Sequence, residues 1–346
     1  MRILVLATDA YGGHGGIAQL TRDLCAALEE HEITVIPRLV RGELQPIPPH
    51  VTFVGRAAQG PLSYLRALAA ARRARFDLVI AMHVNLLPVA FGNPLLVAHG
   101  VEVWKRRRAT LAKCRGIVAV SAVTRDRLLG WSGYTGPAFV LPLPIRIEDY
   151  GIRPRRADLV ERHRLQGKRV LLTVGRLDAD ERSKGFDEVL EVLPDLPQDV
   201  VYMIAGGGAD GVRLQQKAQA LGVSGRVVFT GLFPEADKPD LYSLADAYVM
   251  PSRGEGFGFV FLEALASGVP VIGSKVDGGR EALREGLLGR LVDPTNPAEI
   301  RAAILETLAH GPARRVPEGL DYFTFEKFRE RSRAILSSGA IRLTSS

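Results

Sequence analysis

Ala247-Tyr248-Val249-Met250-Pro251-Ser252-Arg253-Gly254-Glu255-Gly256-Phe257-Gly258-Phe259-Val260-Phe261-Leu262-Glu263-Ala264 is the stretch on which the fold turns. Its first four residues are wholly apolar, which fits a strand buried on both faces. A glycine-rich turn follows, Gly254 to Gly258, and then a helical pattern. Strand, turn and helix in that order place backbone N–H groups where a phosphate or sugar can approach. Two carboxylates mark the helix entrance: Glu255 in the loop and Glu263 about two turns into the helix.

The same grammar repeats outward. Val170–Val174, Val200–Ala205, Val227–Thr230 and Val269–Gly273 read as further strands of the second half. Ile3–Ala7, Thr34–Pro37, Leu78–Ala81, Leu95–Ala98 and Ile117–Ser121 read as strands of the first. Helical patterns fall between several of them, at Ile17–Glu30, Leu62–Arg75 and Phe186–Leu193. Continuous apolar strands alternating with helices imply an α/β protein with two doubly wound, Rossmann-like domains. The Pro-rich stretch from Leu141 to Pro154 marks the expected boundary, giving domains at 1–150 and 151–324. Residues 325–346 are expected to form a C-terminal helix, about Phe325–Leu336, that packs back toward the N-terminal domain, followed by a mobile tail.

Bulk properties exclude several classes. A chain of 346 residues, 47% hydrophobic, can bury two cores, and 24% charge with a mean hydropathy of +0.07 does not describe a disordered chain. The two cysteines, Cys25 and Cys114, have no metal-ligand spacing and build no disulfide framework, so a reducing, cytoplasmic setting is expected. Met1–Ala7 is too short for the apolar region of a signal peptide, and no run approaches the roughly 18 apolar residues of a membrane span. The net charge of +7 lies entirely in residues 1–150, which carry 18 Lys and Arg against 11 Asp and Glu; the rest carries 27 against 27. A basic first half implies an anionic partner there.

Candidate groups stand at strand ends, where an open α/β sheet binds its ligands. Arg176 leaves the strand Val170–Val174 and Lys184 stands at the next helix entrance; a planar fork and a point charge together suit a diphosphate. Gly13-His14-Gly15-Gly16-Ile17-Ala18 fits the G-x-G-x-x-A dinucleotide pattern, but Arg38 rather than an acidic residue ends the second strand. The other reading of Gly15 and Gly16 is a turn that lets backbone approach a phosphate or sugar. His99 and His83 each follow a strand, His99 with Gly100 beside it. Asp178 and Asp180 form a D-x-D, read as solvated loop residues because Arg176 and Lys184 can already neutralise phosphate. Leu62–Arg75, with Arg66, Arg72 and Arg73, and the run Trp104-Lys105-Arg106-Arg107-Arg108 suit an anionic membrane surface.

Taken together these residues resemble the family 4 glycosyltransferases, retaining enzymes of GT-B architecture with two Rossmann-like domains facing a central cleft. The resemblance rests most on Glu255-Gly256-Phe257-Gly258 to Glu263, which matches the family's E-x7-E motif. His99-Gly100, Ser121, Gly175-Arg176, Lys184-Gly185 and Gly206-Gly207-Gly208 support it. It implies a nucleotide-sugar donor on the second domain, a saccharide acceptor on the first, and no metal or other cofactor. By the same resemblance Arg176 and Lys184 neutralise the donor diphosphate, Glu263 accepts from the ribose hydroxyls, and Glu255 lies by the hexose. The N–H groups of Phe257 and Gly258 support sugar or phosphate, residues Val228–Gly231 line the base, and His99 faces the reacting centre. Two departures are visible: Gly278-Gly279-Arg280-Glu281 is a residue shorter than the family's G-G-x-x-E, which weakens the case for a donor contact from Glu281, and the chain is compact for the family, which leaves the acceptor domain little room for insertions.

The implied function is hexose transfer from a UDP- or GDP-linked sugar to a saccharide, with a polyprenyl-diphosphate-linked intermediate of surface polysaccharide synthesis as the leading acceptor. The setting that follows is peripheral, on the inner face of the cell membrane. Transfer to a soluble small molecule is the rival within the class. An NAD(P)-dependent oxidoreductase using the Gly13–Ala18 turn is the rival outside it. A nucleic-acid partner is not expected, since no recognition module is present.

Overall fold

The computed structural model describes residues 1–12, 15–40, 42–55, 60–100, 111–309, 311, 314–339 and 341. The chain divides into two compact units. The division falls after Pro144, ahead of the expected 150, and the helix Phe325–Ser337 groups with the first unit.

The first unit is built on strands β1 (Arg2–Ala7), β2 (Glu32–Pro37), β3 (Val51–Phe53), β4 (Leu78–Ala81), β5 (Leu95–Ala98), β6 (Gly116–Ala119) and β7 (Ala138–Val140). Their order is β3-β2-β1-β4-β5-β6-β7, and every pairing is parallel. β4, β5 and β6 are buried at every position, as the continuous apolar runs require when helices cover both faces. The helix Phe325–Ser337 buries Phe328 and Leu336 against this unit, and Arg333 binds Glu30 at 2.7 Å near the end of the helix Gly16–Ala27.

The second unit carries β8 (Arg169–Val174), β9 (Val200–Ala205), β10 (Val227–Gly231), β11 (Ala247–Met250), β12 (Val271–Ser274) and β13 (Arg290–Val292). The order is β10-β9-β8-β11-β12-β13, again parallel throughout. Buried Thr173 ties the middle of this sheet together, with its hydroxyl bonded to the Val249 carbonyl and to Tyr202 Oη. Both sheets are doubly wound, and together the two Rossmann-like lobes make the GT-B architecture.

Strand order fixes where a ligand can sit. In each sheet the order reverses once, between β1 and β4 in the first unit and between β8 and β11 in the second. Loops leaving the C-terminal ends of those strands splay apart and leave a crevice. Three strands escaped the sequence reading: β3, β7 and β13, each three residues long and each at a sheet edge. Ser121 also differs from expectation. It caps the helix Ala122–Ser132 by accepting from Thr124 N at 3.0 Å and is not a strand residue. Among the described residues no helix is long and apolar enough to cross a membrane.

Candidate active site

The second unit's crevice is formed by two loops that interlock. One runs from β8 through Arg176 and the short turn Ala179–Lys184 to the helix Phe186–Val192. The other runs from β11 through Glu255 to the helix Phe259–Ala266. Arg253 N donates to the Ser183 carbonyl at 2.7 Å. Gly185, at φ +88°, approaches Pro251 so closely that a Cβ there would lie 2.8 Å from the proline carbonyl oxygen. Only glycine meets both conditions.

That approach brings Lys184 to Glu255. Lys184 Nζ lies 3.1 Å from Glu255 Oε2 and 3.5 Å from Glu181 Oε2. Arg176 reaches the other oxygen of Glu181 while its side chain stays 72% exposed. Both cations therefore converge on a single carboxylate at the mouth of the loop, which is what binding one anion requires. Glu181 was not legible as part of the site: it is an ordinary acidic loop residue until the turn folds it back between the two cations.

Burial pulls the Glu255 carboxyl upward, but the Lys184 ammonium and the N–H groups of Gly256 and Phe257 outweigh it. The net shift is below the usual carboxylate range, so Glu255 is ionised at neutral pH. Phe257 is buried and meets the Phe323 ring edge-on at 5.6 Å, which anchors the turn to the core. Gly258, at φ +93°, precedes the helix, and a Cβ there would lie 2.7 Å from the Phe261 ring.

Glu263 is the residue expected to accept from the ribose hydroxyls. It is 0% exposed, and both its oxygens are engaged from inside, by Lys238 Nζ at 3.1 Å and Tyr242 Oη at 2.8 Å. A carboxylate enclosed in this way braces its helix against the segment carrying Lys238 and Tyr242. Lys238, equally unforeseen, is the counter-charge that makes this burial tolerable. Gly231 ends β10 on an exposed edge, bridged to Gly206. Asp178 precedes the Ala179–Lys184 turn and Asp180 is exposed within it. Among the described residues no group of three or more His, Cys, Asp or Glu side chains could hold a metal ion.

In the first unit Gly15 caps the helix that begins at Gly16, while Gly13 and His14 lie outside the described residues. His99 is half-buried just beyond β5, and its Nε2 donates to the Met82 carbonyl at 2.7 Å. That bond fixes the ring against the end of β4. His83, expected on the acceptor side, lies just beyond β4. It is buried, and its Nδ1 accepts from Asn85 N at 3.1 Å, capping the turn Val84–Leu86. On the helix Pro61–Arg73, Leu62 and Leu65 are 73% and 54% exposed while Leu68 faces the core. Arg72 and Arg73 are exposed on the same helix, Arg72 over the Phe91 ring at 5.4 Å. Trp104, Lys105, Arg106, Arg107 and Arg108 lie outside the described residues.

Residues 156–318 match the family profile described as glycosyl transferases group 1. The second unit belongs to that family. The group 1 match contains Arg176, Lys184, Glu255 and Glu263, and so the whole β8–β11 crevice. The chain is 33% identical over 215 residues to a GDP-mannose-dependent alpha-(1-6)-phosphatidylinositol monomannoside mannosyltransferase of Mycolicibacterium smegmatis, covering 59% of this chain and 55% of that protein. It is 31% identical over 170 residues to an alpha-D-kanosaminyltransferase of Streptomyces kanamyceticus, covering 49% of this chain and 44% of that protein. The chain thus spans about half the length of these curated relatives. In fold it resembles the Anabaena HepE protein crystallised with UDP-glucose, at a TM-score of 0.78 and 20% identity over 97% of this chain and 99% of that one.

Proposed function

We propose that this chain is a retaining, metal-independent glycosyltransferase that moves a hexose from a UDP- or GDP-linked sugar to a saccharide acceptor. The observation that carries the reading is the convergence of Arg176 and Lys184 on one carboxylate, beside ionised Glu255, at the switch point of the group 1 unit. In the donor complex the diphosphate takes over the two cations from Glu181. Glu255 and the N–H groups of the Gly256–Gly258 turn hold the hexose.

The chemistry follows from where charge develops. As the glycosidic bond breaks, negative charge grows on the diphosphate and positive charge on the anomeric carbon. Fixed cations stabilise that separated state more than the ground state and so lower the barrier. The acceptor hydroxyl attacks from the face the diphosphate leaves, and a phosphate oxygen takes its proton. His99, its ring held by the Met82 carbonyl, is the first unit's candidate residue.

The acceptor is proposed to be lipid-linked and the protein peripheral on an anionic membrane, with a polyprenyl-diphosphate saccharide as the substrate class. Exposed Leu62 and Leu65 beside Arg66, Arg72 and Arg73 support this, as does the all-positive excess of residues 1–150. The phosphatidylinositol-linked acceptor named for the mycobacterial relative points the same way. Incubation with UDP- and GDP-sugars and a panel of lipid-linked and soluble acceptors tests the whole reading. Release of nucleoside diphosphate with an α-linked product from an α-linked donor is expected. Turnover with soluble acceptors alone sinks the lipid-linked part, and no turnover with any pair sinks the transferase reading.

A further inference from the structure

We propose that Asp277 is a positioning residue that holds the Glu255 turn in its working shape. The inference rests on the role given above to Glu255. Asp277 lies between β12 and the short helix Gly279–Ala282, is 0% exposed, and points back under the glycine-rich turn. Its Oδ2 accepts from Ser252 Oγ at 2.7 Å and from Glu255 N at 2.9 Å. Its Oδ1 accepts from Gly279 N at 3.0 Å. The turn is clasped from the other side as well, because Gly278 N donates to the Glu255 carbonyl at 2.9 Å. Glu255 is thus gripped by both backbone groups from one short segment, while its side chain meets Lys184. The carboxylate holds three donors on two oxygens, the Gly278–Glu255 backbone bond adds a fourth tie, and only a carboxylate side chain accepts at both oxygens without bringing a donor.

The brace has a built-in proton dependence. Burial drives the Asp277 carboxyl upward against its hydrogen bonds, and the Glu255 charge adds to that, to about 7. The charged groups around it are few. Glu255 faces it from the turn, with Lys184 beyond; on its own segment Arg280 turns to Glu285 at 3.4 Å, and the helix Phe259–Ala266 presents the Phe261 ring. When a proton binds, one oxygen becomes a donor facing donors, and the turn loses a tether. Turnover is therefore expected to fall as pH drops through about 7. Stability runs the other way. The folded value exceeds the 3.8 of an ordinary aspartate, so the native state binds the extra proton between the two values and gains stability toward the acid end.

Asp277→Asn keeps the shape and replaces one acceptor with an N–H2 donor. Three measurements on the full chain are compared between it and the wild type: the pH profile of kcat/KM, thermal unfolding from pH 5 to 8, and amide hydrogen exchange of residues 252–258. The variant should lose about 10- to 100-fold in kcat/KM above pH 7 through misplacement of Glu255. It should also lack the acid limb near 7, unfold with a flatter pH dependence, and exchange faster across the turn. A residue that merely stabilises the fold would lower Tm and leave the acid limb in place. An unchanged kcat/KM profile in an active enzyme overturns the inference while leaving the proposed function standing. If the wild type turns over no donor, the proposed function fails by itself, and hydrogen exchange still decides: unchanged exchange at residues 252–258 overturns the brace.

Discussion

Lys184 and Glu255 carry the account at the scale of single residues. Lys184→Ala removes a fixed cation from the developing diphosphate charge, so kcat/KM should drop about 10²- to 10³-fold with Tm nearly unchanged. Glu255→Gln should show a comparable loss in a steady-state assay, since it removes the charge that pairs with Lys184 and orients the sugar. Away from the site, Asp187 tests the electrostatics of the same unit. It is partly buried, but the Arg213 fork at 2.7 and 2.8 Å and Lys217 at 2.8 Å overcome that burial and hold its carboxyl down at about 2. A depressed carboxyl contributes stability that is complete above its unfolded value and lost as pH falls toward the folded one. Asp187→Asn should therefore cost about 2 kcal/mol at neutral pH and remove part of the acid-induced loss between about pH 4 and 2 in denaturant melts.

Arg176, Lys184 and Glu255 were singled out because each lies in a loop leaving the C-terminal end of a strand, where ligands bind in this fold class. Glu181, Lys238 and Asp277 were not. Each acts across a distance in sequence or through a fold-back, and the Gly278–Glu281 segment beside Asp277 drew notice only for a donor contact. Glu263 shows what spacing alone leaves out. Its spacing from Glu255 is visible in the sequence, but its burial against Tyr242 is a property of packing alone.

Among elements, the interior strands were readable as unbroken apolar runs of four to six residues, such as β9, buried at all six positions. The missed strands are edge strands, half of whose hydrogen bonds face solvent, and they need no such run. Arg290 in β13 and Thr52 in β3 break the apolar pattern without harm. The loops are the demanding elements. Gly185→Ala would place a methyl group 2.8 Å from the Pro251 carbonyl in a left-handed conformation. We expect a loss of about 1–3 kcal/mol in Tm-derived stability and a raised KM for the donor, as the Lys184 turn is pushed off the Glu255 turn.

At the scale of the whole molecule, the chain does not finish where its second sheet does. The helix Phe325–Ser337 returns buried Phe328 and Leu336 to the first unit, where Ile335 and Leu336 line an apolar cavity with Leu20, Leu24 and the sheet residues Ile80, Leu95, Val97 and Val118. Phe328→Ala should cost about 3–5 kcal/mol, read as an earlier unfolding transition of the first unit with the group 1 unit little changed. The helical pattern at the C-terminus was legible in the sequence. Its return toward the N-terminal domain was expected too, but which face it covers is fixed only by packing, since an amphipathic helix does not name its partner.

The central claim is that Arg176 and Lys184 of the group 1 unit hold the diphosphate of a nucleotide-sugar donor. Calorimetric titration of UDP and GDP into the wild type and Lys184→Ala tests it without knowledge of sugar or acceptor. The account requires saturable binding of at least one nucleotide by the wild type and affinity weakened by at least about tenfold in the variant. Equal affinity in both proteins, or no binding of either nucleotide to the wild type, would contradict it.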